Sequence, residues 1–155
     1  MEVLKAVERV NENQKGVLFE KLVKAFGSVE ALKGKTIAMW GLSFKPETDD
    51  MRESTALVMI GKLLEAGCTV RAYDPVAMNE CKRRIGDAIT YCRDMYDCVL
   101  DADALLLLTE WKEFRLPGWG VIKKAMKRPL VIDGRNIFDT EELDENNFEY
   151  HCIGK

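Results

Sequence analysis

The sequence predicts an α/β protein: a doubly wound, mostly parallel, Rossmann-like sheet with helices on both faces, preceded by a long N-terminal helix. Three observations predict it. Short apolar runs at Thr36 to Trp40, Thr69 to Tyr73, Ala104 to Leu108 and Leu130 to Ile132 alternate with helical patterns. The run Ala104 to Leu108 is apolar at every position, as a strand of a parallel sheet covered on both faces is. Gly41 ends the first run and feeds a charged loop and then a helix, the layout of a first crossover, with ligands beyond the carboxyl ends of the strands.

Taken in order, Glu2 to Phe26 reads as one long helix, because Val3, Val7, Val10, Val17, Leu18, Leu22 and Phe26 recur at three- and four-residue steps. At that length it would span roughly 37 Å, and its stripe is expected to pack against something outside the domain. Gly27 and Ser28 end it, which divides the chain into residues 1–27 and a domain over 28–155. Thr36 to Trp40 is the first strand. Pro46 biases Lys45 away from helical dihedrals and keeps the following loop extended. Thr48, Asp49 and Asp50 are N-cap candidates for a helix near Glu53 to Ala66, which closes at Gly67. The second strand, Thr69 to Tyr73, ends in Asp74-Pro75. A polar helix near Met78 to Ile85, a weak strand at Ala88 to Cys92 and a helix near Met95 to Leu100 lead to the apolar central strand. A helix over Trp119 to Lys127, a strand ending in Asp133-Gly134-Arg135 and an edge strand at Phe148 to Ile153 complete the chain.

Composition narrows the class. A chain of 155 residues suits one domain that buries enough surface to fold without staples. Hydrophobic residues at 47% and charged ones at 32% indicate a globular protein, and no apolar run approaches the roughly 20 residues of a membrane span. The five cysteines are odd in number and scattered, with no C-x-x-C pair and a single histidine, His151. That pattern argues against a metal site and a disulfide framework, and for reduced thiols in a cytoplasm. A net charge of −3 argues against a nucleic-acid surface but leaves room for a local positive pocket.

Such a pocket is legible at the predicted strand ends. The loop after Gly41 lacks the second and third glycines of G-x-G-x-x-G, so it does not offer the usual pyrophosphate cradle. Lys45 stands there instead, as a point charge for a phosphate oxygen or as a solvated loop lysine. Arg52, read as lying beside a helix N-terminus, opposes the helix dipole and calls for an anionic partner, either a ligand or Asp49 or Asp50. Arg135 follows a strand and a turn glycine, and its fork suits a diphosphate or carboxylate. Asp74 stands where a dinucleotide fold grips a ribose, but without the glycine fingerprint a capping or turn role reads better.

The segment GLSFKPETDDMRES, followed in order by Tyr73-Asp74-Pro75, Thr109-Glu110-Trp111 and Ile132-Asp133-Gly134-Arg135, resembles the carboxyl-terminal domain of the UDP-glucose/GDP-mannose dehydrogenase family. The likeness leans towards the members that oxidise UDP-glucose. It implies a UDP-binding domain in which Phe44, Lys45 and Arg135 contact the nucleotide-sugar substrate and Arg52 reaches NAD, a cofactor held mainly by another, N-terminal domain. It also implies that residues 1–27 end a central helix that forms a homodimer. Family members oxidise the sugar C6 alcohol to a carboxylate with two NAD, through a cysteine-bound intermediate. No cysteine of this chain falls in the catalytic pattern, so no catalytic residue is assigned and the chain alone is expected to be inactive. A UDP-N-acetylmannosamine or GDP-mannose dehydrogenase domain, or a non-catalytic binding or oligomerisation module, are the competing readings.

Overall fold

The computed structural model describes residues 16–52 and 54–153. Helix α1 runs through 16–26 among these. The sheet and its helices then follow as β1 (Thr36–Trp40), α2 (Thr55–Glu65), β2 (Thr69–Tyr73), α3 (Met78–Ile85), β3 (Thr90–Tyr91), α4 (Met95–Cys98), β4 (Ala104–Leu107), α5 (Trp119–Ala125), β5 (Leu130–Asp133), α6 (Thr140–Glu145) and β6 (Glu149–Cys152). Short 3-10 turns lie at Glu30–Leu32 and Lys112–Phe114.

The six strands form one sheet in the order β3-β2-β1-β4-β5-β6, and every pairing is parallel, not mostly so. Parallel neighbours need crossovers, and the helices supply them on both faces. Alternation along β1 divides the core: Ile37 and Met39 pack with α1, α2 and α3, while Ala38 and Trp40 pack with α4, α5 and α6. Ala104 to Leu107 is buried throughout because each of its faces meets one of these layers. The strand order reverses between β1 and β4, which makes their carboxyl ends the switch point where ligands bind in such sheets. Among the described residues no helix is long and apolar enough to cross a membrane.

Three sequence expectations change. Over 16–26, Leu18 and Leu22 of the helical stripe are buried on this domain's own sheet rather than against an outside partner. The rest of the expected long helix lies outside the described residues. The N-cap of α2 is Ser54, not Thr48, Asp49 or Asp50. Ser54 has extended dihedrals directly before the helix and its Oγ accepts from the Ala56 N–H at 3.1 Å, while it donates to the Leu42 carbonyl at 2.6 Å. Arg52 therefore lies in the loop ahead of the cap, outside the first turn. Helix α6 was not foreseen, although Asp139 caps it in the usual way.

The register brings Trp40, Tyr73, Leu107 and Asp133 level at the carboxyl edge. Two fully buried carboxylates then organise the loops beyond it. Asp74 Oδ2 accepts from the N–H groups of Leu42 and Ser43 and from the Trp111 indole, at 2.7, 3.3 and 3.3 Å. Its Oδ1 accepts from Val76 and Ala77 at 2.9 and 2.7 Å. Asp133 accepts from the N–H groups of Arg135, Ile137 and Phe138 and from the Tyr150 hydroxyl at 2.8–2.9 Å. Burial, reinforced by Asp133, pushes the Tyr150 phenol far above its ordinary range.

Two outcomes test this edge. At Gly41 the backbone has φ +98°, and a Cβ would stand 2.6 Å from Thr109 atoms, so Gly41→Ala should cost about 2–3 kcal/mol in urea unfolding. Asp74→Asn would aim an amide NH2 at N–H donors, and a loss of about 2–4 kcal/mol is expected from the same measurement.

Candidate functional site

The loop after β1 sits at the switch point with its peptide groups tied down from three other strand ends. From the end of β2, Asp74 takes the Leu42 and Ser43 N–H groups. Beyond β4, the Thr109 hydroxyl donates to the Ser43 carbonyl at 2.7 Å. Beyond β5, Arg135 Nη2 donates to the Phe44 carbonyl at 3.1 Å. The loop also closes on itself: the Phe44 N–H donates to the Asp50 carbonyl at 2.7 Å, and Ser43 Oγ to the Lys45 carbonyl at 2.8 Å. Within it Glu47 takes a left-handed φ of 69°, a conformation that a loop fixed on several sides can hold.

Side chains project from this fixed backbone. Phe44 is 47% exposed, a large apolar ring held in solvent at the sheet edge. Lys45 is exposed beside it, and among the described residues it makes no ion pair. Arg135 spans the gap to the loop: Nε lies 3.0 Å from the Leu108 carbonyl and 3.0 Å from Glu110 Oε2, while Nη2 holds Phe44. Gly134 permits this approach, since a Cβ there would stand 2.7 Å from the Leu107 carbonyl.

The structure thus brings Phe44 and Arg135 into direct contact, with Lys45 next along the chain. Arg52 is joined less closely. Its Nε and Nη2 donate to both carboxylate oxygens of Asp50 at 3.0 Å, and its own N–H donates to Asp50 Oδ1. Hydrogen bonding from Arg52 holds the Asp50 carboxyl at a pKa of about 2, well below its usual range. The Arg52 side chain remains 79% exposed, so the pairing leaves it at the surface.

Asp74 takes the turn role expected of it, accepting from Val76 and Ala77, but its hold on Leu42, Ser43 and Trp111 and the bracing by Thr109 are not among the expectations from sequence. The signal for Asp74 and Thr109 was their place after a strand, on the edge that carries Lys45. Trp111 offered none, because its partner lies 37 positions away and the contact depends on the register of β1, β2 and β4. All five cysteines are buried free thiols, and no group of potential metal ligands lies among the described residues.

Residues 38–140, from β1 to the start of α6, match the sequence profile of the UDP binding domain of the UDP-glucose/GDP-mannose dehydrogenase family. A UDP-glucose 6-dehydrogenase of Pseudomonas aeruginosa is 43% identical over 99% of this chain and 35% of its own length. Among solved structures, a UDP-glucose dehydrogenase from Pyrobaculum islandicum superposes with a TM-score of 0.78 at 30% identity, over 95% of this chain and 31% of its own. A UDP-D-ManNAc dehydrogenase from Pyrococcus horikoshii does so with a TM-score of 0.68, also at 30% identity and over 95% and 31% of the two chains. The chain spans about a third of the length of the curated relatives it matches. Both the profile and these relatives cover the strand edge just described, and the chain belongs to the UDP-glucose/GDP-mannose dehydrogenase family, through its UDP binding domain.

Proposed function

We propose that this domain binds the UDP part of a nucleotide sugar at the carboxyl ends of β1, β4 and β5, and serves an NAD-dependent UDP-glucose 6-dehydrogenase. Phe44, Lys45 and Arg135 are its substrate contacts. The observation that carries this reading is the bond from Arg135 Nη2 to the Phe44 carbonyl, which places a guanidinium, an exposed ring and an exposed ammonium on one short stretch of rim. A guanidinium and an ammonium suit the oxygens of a diphosphate, and an aromatic face suits a base or a sugar.

The loop's chemistry is one of positioning. Because its peptide groups are fixed before the ligand arrives, little ordering is left to oppose binding, and the diphosphate is held so that the sugar is presented in one orientation. NAD, when bound, would supply the hydride acceptor for oxidation of the sugar. The turn after β1 is poorly suited to a dinucleotide pyrophosphate, since Thr109 fills the space next to Gly41 that a cradle would need. This favours NAD on a separate domain of the same enzyme, with the exposed Arg52 as the cofactor contact from this side. A homodimer through α1 completes the assembly; Phe19, Val23 and Phe26 are only partly buried and leave apolar surface on that helix. The thiols of this chain are buried, and burial pushes the Cys68 thiol up to about 11, which suits structural rather than nucleophilic roles.

The equal identity to UDP-glucose and UDP-D-ManNAc dehydrogenases supports a second reading of the sugar alone. Turnover of the full-length enzyme on each sugar separates the two, with UDP-glucose expected as the better substrate. Titration calorimetry of the isolated chain with UDP should show binding, weakened about tenfold or more in Arg135→Ala and less in Lys45→Ala, and absence of binding to the unchanged chain would sink the assignment. The isolated chain should produce no NADH from UDP-glucose and NAD in an absorbance assay.

A further inference from the structure

Arg135 meets three partners at the rim described above: the Leu108 and Phe44 carbonyls and the Glu110 carboxylate. Two main-chain carbonyls, of Leu108 and Phe44, already fix the plane of its guanidinium. The Glu110 carboxylate, 3.0 Å from Nε, is therefore not needed to aim it. What Glu110 adds is a negative charge beside a cation that, on the reading above, takes a diphosphate. Both side chains are reachable, at 36% and 26% exposure, and among the described residues Nη1 has no partner.

We propose that Glu110 is a residue of the nucleotide site that acts as a displaceable counter-ion, occupying Arg135 while the site is empty and competing with the incoming diphosphate for that cation. The inference rests on the assignment of Arg135 as a diphosphate contact. Carboxylate and phosphate oxygens seek the same fork of donors. A small anion gains only Arg135 and must overcome Glu110 to do so. A diphosphate reaches further along the rim and gains Lys45 as well, so it prevails where inorganic phosphate does not. Glu110 thereby lowers affinity for every anion and lets only the longer, more highly charged one compensate.

The Nε hydrogen is already given to the Leu108 carbonyl, so Glu110→Gln keeps the size and shape of the side chain beside Nε and removes the charge. Calorimetric titrations with UDP, inorganic phosphate and uridine, on the unchanged chain, Glu110→Gln, Arg135→Gln and the double variant, test the proposal. Glu110→Gln should bind UDP about three- to tenfold tighter, and phosphate detectably, with uridine unchanged, because exposed charges interact only modestly through water. Glu110→Ala, which removes the same charge, should move UDP in the same direction. In the Arg135→Gln background the Glu110 change should have no effect on UDP. Weaker UDP binding in Glu110→Gln, an equal change for uridine, or the same shift in both backgrounds would each overturn the counter-ion role. If Arg135→Gln weakens UDP but Glu110→Gln changes nothing, the counter-ion role fails alone. If Arg135→Gln leaves UDP affinity untouched, the assignment of the site fails with it.

Discussion

Asp74 and Asp133 place two carboxylates wholly out of water at the carboxyl edge of the sheet, and the rest of the rim depends on how they are satisfied. An isolated buried carboxylate is costly, so each must be surrounded by donors. The donors available are main-chain N–H groups of loops that, lacking helix or strand partners, need acceptors of their own. One requirement answers the other. The Asp74 oxygens fasten the turn after β1 and the turn after β2, and those of Asp133 fasten the turn that carries Arg135. No buried side-chain nitrogen or oxygen among the described residues lacks a partner, which is the result expected of a network that must be complete to be stable.

A rigid backbone beneath exposed cations is the consequence. Lys45 and Arg135 stand on peptide groups held by the ends of β2, β4 and β5, so the rim holds its shape while the ammonium and guanidinium stay accessible. Apolar packing beneath supports the same arrangement. Trp40, the last residue of β1, stacks on Phe114 at 5.1 Å and donates its indole N–H to the Met95 carbonyl, so the strand end cannot shift without disturbing that layer of the core. The family's UDP binding domain is thus, in this chain, a sheet whose carboxyl edge is braced by side chains from the neighbouring strand ends.

Much of this was legible in the residues. The strands at Thr36–Trp40 and Thr69–Tyr73 coincide with the predicted runs, because β-branched and apolar residues between turn formers have few other uses. Gly67 closes α2 as expected, with φ +88°. Less was legible around α2's start, where Thr48, Asp49 and Asp50 all have capping chemistry but Ser54 has the position; local preference could not choose among four suitable residues in seven. Arg52 shows the same limit. Its Asp50 partner was one of two local possibilities, and only the loop's geometry selected it.

Pattern and spacing by themselves determined the layered α/β class, the edge of the sheet on which the cations gather, and the motif blocks that mark the family. All three are local matters, since periodicity of burial and turn chemistry act over a few residues at a time. The tertiary structure alone decided that Arg135 reaches the Phe44 carbonyl 91 positions away, that Thr109 braces Ser43 across 66, and that Trp111 shares Asp74 with the β1 loop. Those contacts follow from strand order and register, which are set by how two faces of a whole sheet are buried at once.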